Sequence, residues 1–175
     1  MPLDRGLIQV YTGEGKGKTT AALGLALRAA GQGLCVHIVQ FMKGGLDYGE
    51  LAALQHQPNI SLRQFGRASF VDRQHLDPED VRLAQEAWQH SLDALRGGAY
   101  DVVVLDELNV ALDYGLLSLP QVLELLDAKP EQVELILTGR NAHPDVVQRA
   151  DLVTEMLAIK HPFSRGVEAR KGIEY

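Results

Sequence analysis

Apolar residues along this chain fall into short runs that are separated by stretches with helical spacing. The runs cover about residues 7–11, 34–41, 60–65, 101–106, 133–138 and 151–156. The run at 101–106 and the run at 133–138 are almost continuously apolar, which is typical of strands covered on both faces in a parallel sheet. Strands that alternate with helices in this way predict a doubly wound α/β fold.

Helices are predicted between the strands, and they begin near Lys18, Asp77, Ser118 and Pro144. Asp77 is the expected N-cap of the second helix because Pro78 fits its first helical position. Ser118 and Gln121 have the spacing of a capping box. The connection between the third and fourth strands covers about residues 66–100, and its first ten residues show no periodicity. Long irregular loops of this kind often carry function.

Length, charge and cysteine usage narrow the class of protein. A chain of 175 residues fits one domain, 1–175, with a substantial core. The net charge of −6 favours neither nucleic acid nor an acidic membrane. No apolar stretch reaches ~18 residues and the start lacks the pattern of a signal peptide, so we expect no membrane span and a cytoplasmic location. The single cysteine, Cys35, lies in an apolar run and is expected to be a small buried strand residue.

The most informative stretch follows the first predicted strand and leads into the first helix. It contains, in order, Gly13, Glu14, Gly15, Lys16, Gly17, Lys18, Thr19 and Thr20. Glycines allow several backbone N–H groups to point into one concavity, and the helix beginning there adds its positive dipole end. Lys18 can bind the outer phosphates of a nucleotide, and Thr19 can ligate its magnesium ion. The first glycine comes one residue later than in the Walker A pattern, which has glycine where Thr12 stands.

A second half of a nucleotide site is predicted at the end of the fourth strand. Asp106 and Glu107 follow the apolar run there, and ligands of open α/β sheets bind beyond the carboxyl ends of the strands. Such carboxylates can hold Mg²⁺, which is the Walker B arrangement and by analogy indicates a RecA-like core. Arg140 ends the next strand and either contacts phosphate or is a solvated loop arginine. Lys43, after the second strand, is either an anion contact or a surface lysine.

These residues resemble a known family, the ATP:corrinoid (cob(I)alamin) adenosyltransferases of the P-loop type. The resemblance covers nearly the whole chain, and its segments are residues 11–22, 39–44, 104–108, 137–140, 150–156, 160–163 and 172–175. By analogy with RecA-like domains, the fold is expected to be a six-stranded, mostly parallel sheet in the order 3-2-4-5-1-6. The tail, residues 157–175, is expected to pack over the single P-loop domain.

The resemblance implies transfer of the 5′-deoxyadenosyl group of ATP to the cobalt(I) of a reduced corrinoid, with release of triphosphate. Residues 13–20 would then hold the triphosphate, Lys18 and Glu107 would be the catalytic residues, and Mg²⁺ would be held by Thr19, Glu107 and Asp106. Such enzymes bind ATP reversed relative to ordinary P-loop ATPases, so that C5′ faces the cobalt. A homodimer and a flavodoxin-like electron donor are the expected protein partners.

The family also implies a corrin-facing loop after the third strand. Phe70 is the only aromatic residue of the corresponding stretch, residues 66–71, and it either contacts the corrin or is buried. Two other functions stay open on the sequence. An ordinary P-loop ATPase or kinase would use Glu107 to orient a water molecule. A nucleotide-dependent regulatory module would use the loop at 66–76 as a partner surface.

Overall fold

The computed structural model describes residues 3–45 and 48–174 of the chain. Its strands are β1 Ile8–Thr12, β2 Val36–Phe41, β3 Ile60–Phe65, β4 Val102–Asp106, β5 Glu134–Thr138 and β6 Leu152–Glu155. Its α-helices are α1 Lys18–Gly31, α2 Gly49–Leu54, α3 Pro78–Arg96, α4 Leu108–Asp113, α5 Leu119–Ala128 and α6 Pro144–Arg149. A short 3₁₀-helix, Pro162–Arg165, lies in the C-terminal tail.

The six strands form one sheet in the order β3-β2-β4-β5-β1-β6, which confirms the predicted order. All five pairs of neighbouring strands are parallel, so the sheet is parallel throughout rather than mostly. In register, Gln40 of β2 lies beside Asp106 of β4, and Tyr11 of β1 lies beside Thr138 of β5. The carboxyl ends of β1, β2, β4 and β5 therefore meet at one edge of the sheet, where the loops that follow them converge.

Two separate apolar cores lie on the two faces of the sheet. Val102 and Val104 of β4 pack into the core that includes Ala22 and Ala26 of α1. Val103 and Leu105 of the same strand pack into the core formed with α3, α4, α5 and α6. Because successive side chains of a strand point to opposite faces, a strand buried on both faces must be apolar at every position. This confirms the doubly wound arrangement that the continuous apolar run indicated.

The helix ends follow their sequence signals. The Asp77 carboxylate accepts a hydrogen bond of 2.8 Å from the Glu79 N–H, which caps α3 as expected. The Gln121 side-chain oxygen accepts from the Ser118 N–H at 3.0 Å, as a capping box requires. The short helix predicted near Pro144 is also present, as α6. His143 precedes it, and the His143 ring accepts a hydrogen bond from the Asp145 N–H.

Three features differ from the sequence expectations. Cys35 is exposed, so its assignment as a buried strand residue is wrong: β2 begins one residue later, and the Cys35 N–H is bonded to the Asp101 carboxylate at 2.8 Å. The helices α2 and α4 were not anticipated. Each has six residues, fewer than two turns, which is too short for periodicity to be measurable.

Candidate nucleotide-binding site

The glycine-rich loop between β1 and α1 requires glycine at three of its positions, 13, 15 and 17. Gly13 has φ +95° and Gly17 has φ +121°, a region of backbone space that L side chains rarely adopt. A side chain on Gly13 would also approach the Met156 carbonyl oxygen to 2.5 Å. The Gly15 N–H donates to that same oxygen at 2.6 Å. The segment that follows β6 therefore packs against the glycine-rich loop, and its Met156 carbonyl oxygen is bonded to one of the N–H groups of the loop.

Lys18 is the first residue of α1, and its side chain is buried. Its ammonium donates to the Gly13 oxygen at 2.7 Å and to the Gly15 oxygen at 2.6 Å. Burial lowers the pKa of Lys18, and the positive charge of Arg140 lowers it further. The side chain is thus folded back along the loop, with its charge held among carbonyl oxygens.

Asp106, at the carboxyl end of β4, is the centre of the hydrogen-bond network. Its Oδ1 accepts from the Thr19 hydroxyl at 2.8 Å and from the Thr138 hydroxyl at 2.6 Å. Its Oδ2 accepts from the Gln40 amide at 3.1 Å and from the Lys43 ammonium at 2.8 Å. Burial alone would raise the pKa of Asp106, but Lys43 and the hydroxyl donors bring that pKa below its ordinary value. Asp106 is therefore a buried, ionised and fully bonded carboxylate.

Glu107 has a different environment although it is the next residue. Its φ is +64°, a left-handed conformation that is uncommon for a residue other than glycine, and its N–H donates to the Thr138 hydroxyl at 2.9 Å. Burial raises the pKa of Glu107, and the adjacent charge of Asp106 raises it further. The left-handed turn ends β4, begins α4 and turns the second carboxyl group into the cavity beside the loop.

The two basic residues left open by the sequence are both at this site. Lys43 has a side chain that is only 15% exposed and an ammonium 2.8 Å from Asp106, so its interpretation as a surface lysine is wrong. The Nε of Arg140 lies 3.5 Å from a carboxylate oxygen of Glu14 in the glycine-rich loop, and both side chains are more than half exposed. Arg140 therefore lies against the loop at the solvent side of the cavity.

Lys16, also in the glycine-rich loop, contacts the tail. Its ammonium donates to the Ile173 carbonyl oxygen at 2.9 Å and to the Glu174 carboxylate at 2.8 Å.

Phe70 is 93% exposed, so the interpretation of Phe70 as a buried side chain is wrong. It lines the cavity from the loop that follows β3.

A cavity of about 690 Å³ connects these groups, and its size is within the range of small-molecule and cofactor sites. The residues around it come from the glycine-rich loop, from the segments after β2, β3, β4 and β5, and from the tail. They include Glu14, Gly15, Lys16, Gly17, Lys18, Thr19, Thr20, Lys43, Tyr48, Phe70, Glu107, Arg140 and Glu174.

Across residues 3–45 and 48–174 there is no cluster of three or more His, Cys, Asp or Glu side chains that could hold a metal.

A family model described as ATP:corrinoid adenosyltransferase BtuR/CobO/CobP matches residues 4–175. The chain belongs to this family. The Pseudomonas aeruginosa corrinoid adenosyltransferase is 39% identical over 173 residues, which cover 98% of this chain and 85% of that protein. The corrinoid adenosyltransferase of Escherichia coli strain K12 is 40% identical, with 98% and 87% covered. The Salmonella typhimurium corrinoid adenosyltransferase CobA is 41% identical, again with 98% and 87% covered.

A solved structure supports the fold of this adenosyltransferase. The KaiC-like protein PH0186 from Pyrococcus horikoshii OT3 superposes with a TM-score of 0.59 at 18% identity, covering 87% of this chain and 74% of its own. At that identity the likeness concerns the fold alone. In the part of the adenosyltransferase that the structure describes, no helix combines the length and the apolar character needed to cross a bilayer.

The tertiary structure brings together nearly all the residues that the sequence singled out in this adenosyltransferase. The residues around the cavity include those predicted for phosphate and corrin, while Asp106 lies directly behind Thr19. Gly13 is the exception: it is not among the residues around the cavity, and its carbonyl oxygen accepts from the Lys18 ammonium at 2.7 Å. Sequence reasoning missed Gln40 and Thr138, which complete the bonding of Asp106. Both lie in segments of the family resemblance, 39–44 and 137–140, and near the carboxyl end of a predicted strand, but neither was assigned a role.

Proposed function

We propose that this cavity carries out adenosyl transfer from ATP to a reduced corrinoid, with the glycine-rich loop holding the triphosphate. The observation that supports this most directly is the meeting of Lys18 and Thr19 with Asp106 and Glu107 at one cavity, in a chain of the ATP:corrinoid adenosyltransferase family. Residues 13–20 supply N–H donors and the charge of Lys18. Arg140, at the solvent side of the loop, adds a second positive charge within reach of the phosphates.

The reaction class explains which groups the protein needs. Cobalt(I) of the reduced corrinoid supplies an electron pair to C5′ of ATP, so a cobalt–carbon bond forms while the C5′–oxygen bond breaks. The bonding pair leaves with the triphosphate, and the reaction needs no proton transfer to the protein. Catalysis would then consist of aligning the two substrates and stabilising the negative charge of the leaving group. On this proposal Lys18 would perform the second task, and reversed binding of ATP would expose C5′ for the first.

Magnesium fits the oxygen groups at the base of the cavity. The Thr19 hydroxyl and a carboxylate oxygen of Asp106 are 2.8 Å apart, and both are hard oxygen donors of the kind that Mg²⁺ prefers. Glu107 presents a further carboxylate to the same cavity. We propose that Thr19 and Glu107 hold the ion, with Asp106 orienting Thr19. When bound, the ion would offset phosphate charge. Removing it with EDTA should slow transfer and weaken ATP binding.

The corrin would bind at the open side of the cavity, where Phe70 is exposed. Phe70 lines this cavity, and it is the one aromatic residue of the stretch 66–71 that the family resemblance assigns to the corrin. The tail would form the other wall, because Lys16 of the glycine-rich loop is joined to Glu174. On this proposal residues 1–175 act as a single domain whose tail, 157–175, covers the nucleotide; Tyr175, its last residue, lies outside the described residues.

We further propose a homodimer whose interface includes the β6 edge of the sheet. All four residues of β6 are exposed, and Leu157, Ile159 and Phe163 continue the exposed apolar surface into the tail. Analytical ultracentrifugation would test this.

A flavodoxin-like electron donor and a cytoplasmic location are also proposals. Reduction assays with purified flavodoxin would test the donor, and fractionation of the native cells would test the location.

Product analysis tests the main proposal. Purified protein is mixed with ATP, Mg²⁺ and chemically reduced cobalamin, and the corrin absorbance and the phosphate products are followed together. The expected result is one triphosphate released for each cobalt–carbon bond formed, dependent on the reduced corrinoid. Lys18→Ala should abolish turnover. Release of ADP and phosphate without any change in the corrin spectrum would instead indicate an ordinary ATPase.

A further inference from the structure

Lys43 is a partly buried cation that the roles assigned so far do not use. It follows β2 directly, its side chain is 15% exposed, and its ammonium lies 2.8 Å from Oδ2 of Asp106. Burial by itself would lower the pKa of Lys43, but the charge of Asp106 and the hydrogen bond to it raise that pKa above its ordinary value. The side chain is therefore a permanently charged ammonium inside the site.

The backbone around Lys43 holds it in one place. Met42, the preceding residue, has φ +59°, a conformation that is unfavourable for a residue other than glycine and that persists only where its surroundings enforce it. The Met42 N–H donates to the Phe65 oxygen at 2.8 Å. Gly44, the following residue, packs against the backbone of Gly66 so closely that a methyl group there would overlap it. Lys43 is thus a fixed residue rather than a flexible surface lysine.

The ammonium of Lys43 retains bonding capacity on the cavity side. It has three N–H donors, and within residues 3–45 and 48–174 its hydrogen bond goes to Asp106. Its nitrogen also lies 5.3 Å from the centre of the Tyr48 ring. Lys43 and Tyr48 line the same cavity as Lys18 and Thr19, so N–H donors of two lysines are available to one ligand.

The charges around the cavity require such a cation. Asp106 and Glu107 are adjacent carboxyl groups at the place where a polyphosphate would bind, and carboxylates repel phosphate in a partly buried site. Lys43 compensates Asp106 directly. Lys18 is surrounded by carbonyl oxygens of its own loop. A leaving triphosphate gains negative charge as its bond to C5′ breaks, so a second cation would act when it is most needed.

We propose that Lys43 is a second cationic ligand of the triphosphate, binding phosphate oxygens with its remaining N–H donors while it stays bonded to Asp106. The inference rests on the proposed function and adds a residue to it. It assigns to Lys43 the stabilisation of the leaving group jointly with Lys18. The ligand chemistry is that of a linear polyphosphate, and the purine and ribose are not involved.

Direct binding of inorganic tripolyphosphate tests the inference without catalysis. Isothermal titration calorimetry compares the unmodified protein with Lys43→Gln, in which the amide can still donate to Asp106 but the charge is gone. Hydrogen bonds between charged groups of this kind correspond to about 10- to 100-fold in affinity, and we expect that loss for tripolyphosphate. We expect kcat to fall as well, while binding of adenosine stays within about twofold. Lys43→Arg keeps the charge and should recover most of the tripolyphosphate affinity.

Arg82→Gln is the matched control because it also removes one positive charge, from an exposed position on α3 where Arg82 pairs with Glu79 and Glu86. Its tripolyphosphate affinity should equal that of the unmodified protein. If Lys43→Gln is folded and binds tripolyphosphate as tightly as the unmodified protein, the inference is wrong. Failure of the unmodified protein to form the cobalt–carbon bond would refute the proposed function instead.

A second measurement keeps the inference testable if Lys43→Gln does not fold. In unmodified protein labelled with ¹⁵N-lysine, tripolyphosphate should shift the ammonium resonance of Lys43, identified by its loss in Lys43→Arg. A Lys43 resonance that does not move when the Lys18 resonance moves would contradict the inference. A shift of both resonances supports it.

Discussion

Gly44 and Gly66 are packed backbone to backbone, so that a methyl group on Gly44 would overlap the carbonyl oxygen of Gly66. The contact joins the loop after β2 to the loop after β3 at the rim of the cavity. Lys43 lies on one side of it, and the loop that carries Phe70 lies on the other. The relative position of the two proposed substrate contacts therefore depends on two residues that have no side chains.

Gly44→Ala should accordingly damage both stability and catalysis. Overpacking of this kind costs about 1–3 kcal/mol, which we expect as a fall in the free energy of unfolding measured with urea. Displacement of Lys43 should also raise KM for ATP. Gly24→Ala is the matched control, because Gly24 lies in α1 with open space around its Cα. That change should stabilise the protein by about 0.5–1 kcal/mol and leave KM unchanged.

Phe70→Ala should separate corrin binding from nucleotide binding. Because the ring is 93% exposed, its removal should leave the melting temperature unchanged. If the ring contacts the corrin, KM for cob(I)alamin should rise about tenfold, the size of effect expected for losing a buried aromatic contact. Calorimetry of ATP binding and steady-state kinetics provide the two readouts. Leu27→Ala, an exposed apolar residue on α1, is the control, and an equal effect from it would contradict a specific role of Phe70.

Glu174→Gln should loosen the tail without unfolding the domain. Glu174 bonds to Arg170 and to Lys16 of the glycine-rich loop, and these contacts lower the pKa of Glu174 to about 2. The contacts are complete above the ordinary pKa of a glutamate and are lost as pH falls toward 2. At pH 7 the substitution should therefore speed tryptic cleavage at Arg170, followed by mass spectrometry. Glu168→Gln, exposed in the same tail, should not change the cleavage rate.

His37 should make stability dependent on pH on the acid side of neutrality. The ring is buried, with Nδ1 2.7 Å from the Ser61 hydroxyl and Nε2 2.8 Å from Nε2 of His90. Burial, followed by the charges of His90 and Arg63, lowers the pKa of His37 to about 4. Between pH 6.5 and 4 the unfolded chain binds a proton there that the folded chain does not, so unfolding becomes easier as pH falls.

The expected loss through His37 is up to about 3 kcal/mol over that interval, measured by urea denaturation at several pH values. His37→Phe should flatten the dependence. His56→Gln, which changes an exposed histidine on the surface, should leave it intact. An unchanged slope in His37→Phe would mean that another group causes the acid sensitivity.

Much of the fold could be predicted from the sequence because the patterns that mark its strands and helix starts involve residues close together in the chain. The apolar run at 101–106 predicted a strand covered on both faces, and both faces of β4 are indeed buried. Asp77 and Ser118 predicted the starts of α3 and α5 because capping involves residues only two or three positions apart. The six-residue helix α4 was not predicted from the sequence because fewer than two turns give no measurable period. It depends on the left-handed turn at Glu107, which its tertiary contacts hold in place.

The sequence by itself determined the strands, the glycine-rich loop and the carboxylates after β4, because each has a pattern formed by residues that are close together in the chain. It also determined membership of the adenosyltransferase family. Only the tertiary structure decided that Lys43 pairs with Asp106, that Phe70 is exposed and that Lys16 contacts the tail. Asp106 is bonded to Thr19 and Thr138, which lie 87 and 32 positions away. Periodicity and spacing cannot detect such contacts, because they exist only once the sheet has brought its strand ends together.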